Sequence, residues 1–433
     1  MSKAIYDVEA KPPVVKSIFY GLQHLLACFG ATVLVPILVG IPPDRAIFSA
    51  GLGTLLYLVI TKFKVPNFVG SSFAFIAVGA VAFGLGPAYL AIGALSSCLT
   101  YVIIALIVWK AGSGWVGKVL PPVVIGSVVA IIGLSLAGTA VNMAFQTTDL
   151  FGVAHFSPQA LLIAAVTLAL IFLAMYSKNS FISSISILIG LVGGYLVTII
   201  LGNITDSSAG FKQFLTFKWD GHWFNNPLDF FVNPFDVKPA QAGIVAISFV
   251  ITSFATICEH IGHTLVTGDI IGRDLVKKPG LHRTILGDGL ATGLAGIFGS
   301  VSNTTYGESL GVMATTKVYS VAVFIWASII AIVLSLIAPF GEIVKSLPTP
   351  VLGGACILLY GTIAANGLKQ LITNKVDVDN KRNMIIVSLI FTLGVGGAMI
   401  PISFQGRELD LLSAVALSAL VGIALNLILP RKE

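Results

Sequence analysis

The chain has 433 residues, of which 56% are hydrophobic and 10% charged, and its formal net charge is +6. A water-facing domain carries roughly 25% charged residues, so this composition and the mean hydropathy of +0.97 exclude a single soluble globule and place the chain in a bilayer. A membrane barrel is excluded as well, because alternating segments of about ten residues are absent. The opening stretch MSKAIYDVEAKPPVV is charged, contains proline and has no small-residue cleavage site, so residues 1–14 read as a cytosolic tail.

About fourteen apolar runs follow, at 15–40, 46–61, 71–84, 88–109, 119–143, 158–176, 182–201, 239–268, 284–300, 303–316, 319–339, 348–367, 383–400 and 409–430. The third and tenth, SSFAFIAVGAVAFG and NTTYGESLGVMATT, are too short and too rich in Gly, Ser and Thr for ordinary lipid-facing helices. With both termini in the cytosol, 19 Lys and Arg residues fall on the cytosolic side; only Arg45, Lys212, Lys218, Lys238, Lys345 and Arg407 fall outside. The positive charge therefore reports orientation and gives no sign of nucleic-acid binding. The polar stretch 202–238 reads as an external linker between seven-span repeats at 15–201 and 239–430. LPPVVIG at 120–126 is echoed by LPTPVLG at 347–353, and GSSFAF at 70–75 more loosely by GSVSNTTY at 299–306. An odd number of spans per repeat inverts the second copy, which predicts an all-α polytopic protein with a 7+7 inverted repeat. The site is expected where the third and tenth spans meet, near the midplane.

Two carboxylates stand inside apolar runs, Glu259 in FATICEHIGHTLV and Glu308 in NTTYGESLGVM. An acid at the bilayer centre costs about 3 kcal/mol, which makes each a functional candidate; the bland alternative is a neutral, hydrogen-bonded structural carboxyl. His263 follows Glu259 by four positions, so the two share a helix face and are placed to exchange a hydrogen bond or a proton. His260 points elsewhere and reads as a packed side chain. Cys28, Cys98, Cys258 and Cys356 lie in apolar runs without metal-type spacing and read as reduced thiols; no metal and no cofactor are expected. Extended backbone around Ser71-Ser72-Phe73 and Tyr306-Gly307-Glu308 leaves N–H and C=O groups that must pair together or face a ligand. Where such backbone turns into a half-helix, free N–H groups favour an oxygen-bearing solute. A planar solute with alternating N–H and C=O groups suits carboxylates plus backbone donors, with Phe73, Tyr306 and Tyr360 available for its flat faces. An intramembrane enzyme is a remote alternative, because E-H-x-x-H matches neither H-E-x-x-H nor H-x-x-E-H.

At CEHIGH (258–263), SNTTYGESLGVMATTK (302–317), QHLLACFGATVLVP (23–36), GSSFAFI (70–76) and PGLHR (279–283), the chain resembles bacterial uracil permeases of the nucleobase/ascorbate transporter family, from about residue 12 to the last span. The resemblance implies two short antiparallel strands in segments 3 and 10, a core domain from 15–110 and 239–340, and a gate domain from 118–201 and 346–430. It implies proton-driven import of uracil by alternating access in a cell inner membrane, contact with membrane lipid, and a homodimer. A purine such as xanthine or guanine is the alternative cargo. Carried over by residue, it places Glu259 and Glu308 on uracil, Phe73 and Gly307 as backbone donors, Ala31, Tyr306 and Tyr360 in the pocket lining, and His263 in proton coupling. Two positions depart from the family pattern: Ser309 where Asn is usual, and Lys317 where Arg is common. The shorter Ser309 bears on a hydrogen bond expected to reach His263.

Overall fold

The computed structural model describes residues 4–148, 153–205, 210–219, 221–404 and 407–430, at 148 and 402–411 by backbone alone. In chain order it holds α1 (Val14–Val39), α2 (Pro43–Ile60), β1 (Val69–Ser71), a 3-10 turn at Phe73–Phe75 leading into α3 (Ile76–Leu85), α4 (Pro87–Ala111), α5 (Val116–Val119), α6 (Pro122–Leu134) and α7 (Ala137–Phe145). A hairpin of β2 (Gln146–Thr148) and β3 (Ala154–Phe156) precedes α8 (Pro158–Met175), α9 (Ser180–Ser184) and α10 (Ser186–Ile204). The second half holds α11 (Pro239–Ile271), α12 (Leu281–Ile297), β4 (Asn303–Thr305), α13 (Gly307–Thr316), α14 (Val321–Ser335), α15 (Ala338–Lys345), α16 (Thr349–Thr373), α17 (Lys381–Val395), the hairpin β5 (Ile400–Phe404) and β6 (Arg407–Leu412), and α18 (Ala414–Ile428).

Among the described residues, eight helices are long and apolar enough to cross a membrane, and Phe73–Leu85, Val321–Ser335 and Ala414–Ile428 are shorter apolar helices. Proline opens α2, α4, α6, α8 and α11, where its missing N–H is one the first turn would leave unpaired anyway. α11 has 33 residues and so is about 50 Å long, well beyond the roughly 30 Å hydrocarbon thickness. Several expected boundaries move. The run 119–143 is broken near Ser135 into α6 and α7, and the run 383–400 ends its helix at Val395. The final helix starts at Ala414 rather than 409, because Arg407, Glu408 and Asp410 crowd a stretch that alternates like a strand and pairs as β6. The hairpins β2–β3 and β5–β6 were not expected. Lys3, Arg431 and Lys432 of the charge split lie outside the described residues.

Packing gathers the helices around two seams. α4 lies on α12 and α11, α2 on α12 and α14, and α1 on α14. α16 lies on α6, α7 and α8, α10 on α8, and α17 on α6 and α18. Both repeated Leu-Pro motifs lead into helices of this second group, α6 and α16, which cross each other. Glycine permits the crossing: a Cβ on Gly367 would sit 2.2 Å from the backbone N of Ala130, and one on Gly133 would sit 2.3 Å from the carbonyl of Tyr360. The N-terminal segment is a strap rather than a loose tail. Tyr6 bridges Val318, Val8 is buried, Tyr319 N–H donates to the Tyr6 carbonyl at 2.8 Å, and Arg273 pairs with Asp7 at 2.9 Å and with Glu9 at 2.5 Å.

Candidate functional site

The two interrupted segments meet as the sequence implies. β1 and β4 pair antiparallel with Val69 opposite Thr305, Gly70 opposite Thr304 and Ser71 opposite Asn303, and all six residues are buried. The ladder continues at its ends, where Ser72 N–H donates to the Ser302 carbonyl at 2.9 Å and Tyr306 N–H to the Phe68 carbonyl at 3.0 Å. This pairing satisfies extended backbone that hydrocarbon would otherwise strand. Each strand then runs straight into a helix start. Ser72 precedes the 3-10 turn that opens on Phe73, Tyr306 precedes α13, and neither side chain caps the helix that follows it. The first N–H groups of both half-helices are thus left for something other than a cap, at the positive ends of their dipoles.

Side chains complete the arrangement. Tyr306 is fixed by its hydroxyl, which donates to the Ser71 carbonyl at 3.1 Å and lies 3.3 Å from Thr32 Oγ1 of α1. Gly70 is required there, since a Cβ would fall 2.6 Å from the Tyr306 hydroxyl. Phe73 and Tyr360 meet edge to face with ring centroids 5.5 Å apart, so α16 covers the α3 side. Ala31 is buried in α1, one residue before Thr32. Glu259 is 8% exposed, and its Oε2 has no hydrogen-bond partner among the described residues. Glu308 is in the first turn of α13, half-buried. His263 Nδ1 donates to the carbonyl of Thr305 at 2.8 Å, which ties α11 to β4 directly. A Cβ on Gly307 would lie 3.1 Å from His263 Nε2 and 3.9 Å from Asn366 Nδ2 of α16.

Two hydrogen bonds bear on the residues singled out for coupling. Ser309 Oγ lies 3.2 Å from Nδ1 of His24 in α1. His263 spends Nδ1 on Thr305 and not on Glu259, although both share the face predicted for them. Two polar residues escaped the sequence reading. His24 is 1% exposed, stacks obliquely near Phe324 at 4.5 Å, and has no hydrogen-bond partner at Nε2 among the described residues. Asp288 of α12 is fully buried with neither carboxylate oxygen hydrogen-bonded among the described residues, and it lies 3.4 Å from His260 Nδ1. Asp288 was open to the argument applied to Glu259, a carboxylate inside an apolar run. The Oγ atoms of Ser71, Ser72 and Ser302 and Oγ1 of Thr304, without hydrogen-bond partners among the described residues, add further polar groups along the two strands and their flanks.

Half-helices that start from a buried pair of strands, inside a bundle of apolar helices, are the architecture of a membrane transporter fold. The transmembrane domain of a cyanobacterium bicarbonate transporter, BicA, superposes with a TM-score of 0.65 at 13% identity, covering 96% of this chain and 98% of that one. Murine Slc26a9, an anion transporter in the inward-facing state, gives 0.66 at 16% identity, with 97% of this chain and 69% of that one covered. At such identities the likeness concerns the fold alone, a helical bundle of the 7+7 inverted-repeat type. Residues 15–403 match the model of a permease family, and the chain belongs to that family. It is 44% identical over 433 residues to the uracil permease of Bacillus caldolyticus, covering 99% of this chain and 96% of that protein. The uracil permease of Bacillus subtilis (strain 168) is 44% identical with 96% and 92% covered, and that of Escherichia coli (strain K12) 38% identical with 99% and 94% covered. These relatives are named as permeases and none as an enzyme.

Proposed function

We propose that the protein imports uracil by proton symport with alternating access. The observation that carries the reading is the meeting of two uncapped half-helix starts across the β1–β4 pair, with Glu308 in the first turn of α13 and Glu259 on α11, which packs on β4 and α13. Uracil alternates N–H donors with C=O acceptors around one flat ring. The carboxylates accept from its N–H groups, the backbone N–H groups of Phe73 and Gly307 donate to its oxygens, and Ala31, Tyr306 and Tyr360 line the pocket. Relatives at 38–44% identity named as uracil permeases support this cargo.

His263 couples transport to protons together with Glu259, one helical turn away on the same face. Ser309 bears on coupling through His24. Residues 15–110 and 239–340 act as the core that carries the site, and 118–201 with 346–430 act as the gate against which it moves. The two approach where Gly307 of α13 nears Asn366 of α16 and where Phe73 meets Tyr360 of α16. Both termini lie in the cytosol and the protein works in a cell inner membrane, surrounded by lipid, as a homodimer.

The test is uracil binding to purified protein. Losing a charge-assisted hydrogen bond is worth about 1.5 to 3 kcal/mol, so Glu259→Ala and Glu308→Ala should each weaken uracil about 10- to 150-fold while the protein stays in the membrane. Competition by xanthine, guanine and thymine distinguishes cargoes. Unchanged affinity in both variants would reject the site.

A further inference from the structure

The second histidine of α11 lies outside the substrate contacts described above, yet it is built into the same structure. His260 is fully buried. Its Nδ1 lies 3.4 Å from Asp288 Oδ2 and 3.4 Å from Thr305 Oγ1, while its Nε2 lies 3.3 Å from the hydroxyl of Thr264. Thr305 Oγ1 is also 3.4 Å from Nδ1 of His263, so one hydroxyl stands between the two imidazoles. The carbonyl of the same residue takes the stronger bond from His263, at 2.8 Å.

A carbonyl oxygen only accepts, so in that bond Nδ1 of His263 carries the hydrogen. The neutral ring then has its lone pair on Nε2, which faces the first residue of α13 at Gly307. Which nitrogen is free to take a proton is therefore decided by where Thr305 sits. Thr305 ends a strand of only three residues, and Asp288, an acid whose oxygens have no hydrogen-bond donor among the described residues, stands behind His260. A buried carboxylate in this state favours a donor at the nearest nitrogen, Nδ1 of His260, and this sets that ring as well.

We infer that His260 is a positioning residue for His263: braced by Asp288, it holds Thr305 so that the Thr305 carbonyl keeps the Nδ1 proton of His263 and Nε2 is the atom that gains and loses the coupling proton. The inference rests on the reading of His263 as a coupling residue. The titratable groups facing this network are Tyr57 from α2, Tyr101 from α4, Glu259 from α11 itself, Asp288 from α12, and Tyr306 and Glu308 beyond β4. α3, α6 and α18, which also pack on α11, carry no titratable side chain, and β6, which packs on it too, contains Arg407, Glu408 and Asp410.

The experiment compares His260→Leu, which removes the brace, with His260→Asn, whose amide keeps an N–H donor near the Nδ1 position. Nitrogen-15 NMR of ring-labelled histidine in reconstituted protein reads the His263 tautomer, and proton-driven uracil uptake in proteoliposomes is followed from pH 5 to 8, around the reference histidine pKa of about 6.5. In the native protein and in His260→Asn, His263 is expected as the Nδ1–H tautomer with the same pH profile. In His260→Leu the Nε2–H form should become populated and the midpoint of uptake should move by about one pH unit. A native tautomer and native profile in His260→Leu would overturn the proposal. Should that variant fail to assemble, Asp288→Asn, nearly equal in size, is expected to give the same change, and its failure to do so overturns the proposal equally. His263→Ala separates the two ideas: native accumulation by that variant would reject the coupling role of His263, whereas the tautomer measurement would still decide whether His260 positions it.

Discussion

Gly70→Ala is a one-carbon change placed where the strand pair meets the site. The added Cβ would lie 2.6 Å from the Tyr306 hydroxyl oxygen, 2.7 Å from Cζ and 2.8 Å from Cε2, so a whole ring edge must move. Tyr306 is 2% exposed and its ring lies against Phe68 with centroids 6.3 Å apart, which leaves little free volume for the movement. The displaced hydroxyl loses its bond to the Ser71 carbonyl and its contact with Thr32. At about 0.5 to 1.5 kcal/mol for each, the loss is about 1 to 3 kcal/mol before any backbone shift. Because the ring belongs to the residue that precedes α13, the displacement should reach the first N–H groups of that helix and weaken uracil binding about 5- to 150-fold. The assay is equilibrium binding of labelled uracil to detergent-purified protein, alongside the melting temperature. Tyr306→Phe is the control: it removes the same hydroxyl without the clash and should lose less. Native affinity and native melting in Gly70→Ala would refute the reasoning, since the ring would then be free to yield.

Other outcomes follow from parts of the fold remote from the strand pair. The crossing of α6 and α16 predicts that Gly367→Ala, whose Cβ would meet the Ala130 backbone at 2.2 Å, destabilises by about 1 to 3 kcal/mol and lowers the yield of monodisperse protein. Gly361→Ala on the same helix meets nothing within 4 Å and should be neutral or slightly stabilising, so equal behaviour of the two would count against the crossing. Docking of the N-terminal strap should depend on pH, because the hydrogen bond from Arg273 holds the Glu9 carboxyl below its ordinary value of 4.5. A lowered folded-state value means that this contribution is complete above about pH 4.5 and is lost as pH falls through the lowered value. Limited proteolysis of the tail should therefore accelerate only on strong acidification, and Arg273→Gln should remove that acid dependence; the pair is largely exposed, so high salt should weaken it too.

Composition and period carried much of this protein by themselves. Apolar runs interrupted by short polar breaks specify a helical membrane protein whatever the tertiary arrangement, because a bilayer admits few other spanning structures. The two defective runs, poor in length and rich in Ser and Thr, were legible as the place where backbone leaves the helix, and Glu259 and Glu308 stood out because intramembrane acids are costly. Extended backbone at both places left pairing as one way to satisfy it, and family resemblance implied two antiparallel strands; the register that sets Gly70 under Tyr306 was decided by how two distant half-helices meet. The same holds for hydrogen bonds reaching across elements. Spacing placed Glu259 and His263 on one face, but only the packed structure gave His263 to the Thr305 carbonyl and Ser309 to His24, partners 42 and 285 positions apart in the chain, and brought Asp288 within 3.4 Å of His260. Helical periodicity fixes which neighbours within one helix share a face, and carries no information about which element from the other half of the chain will be brought against that face.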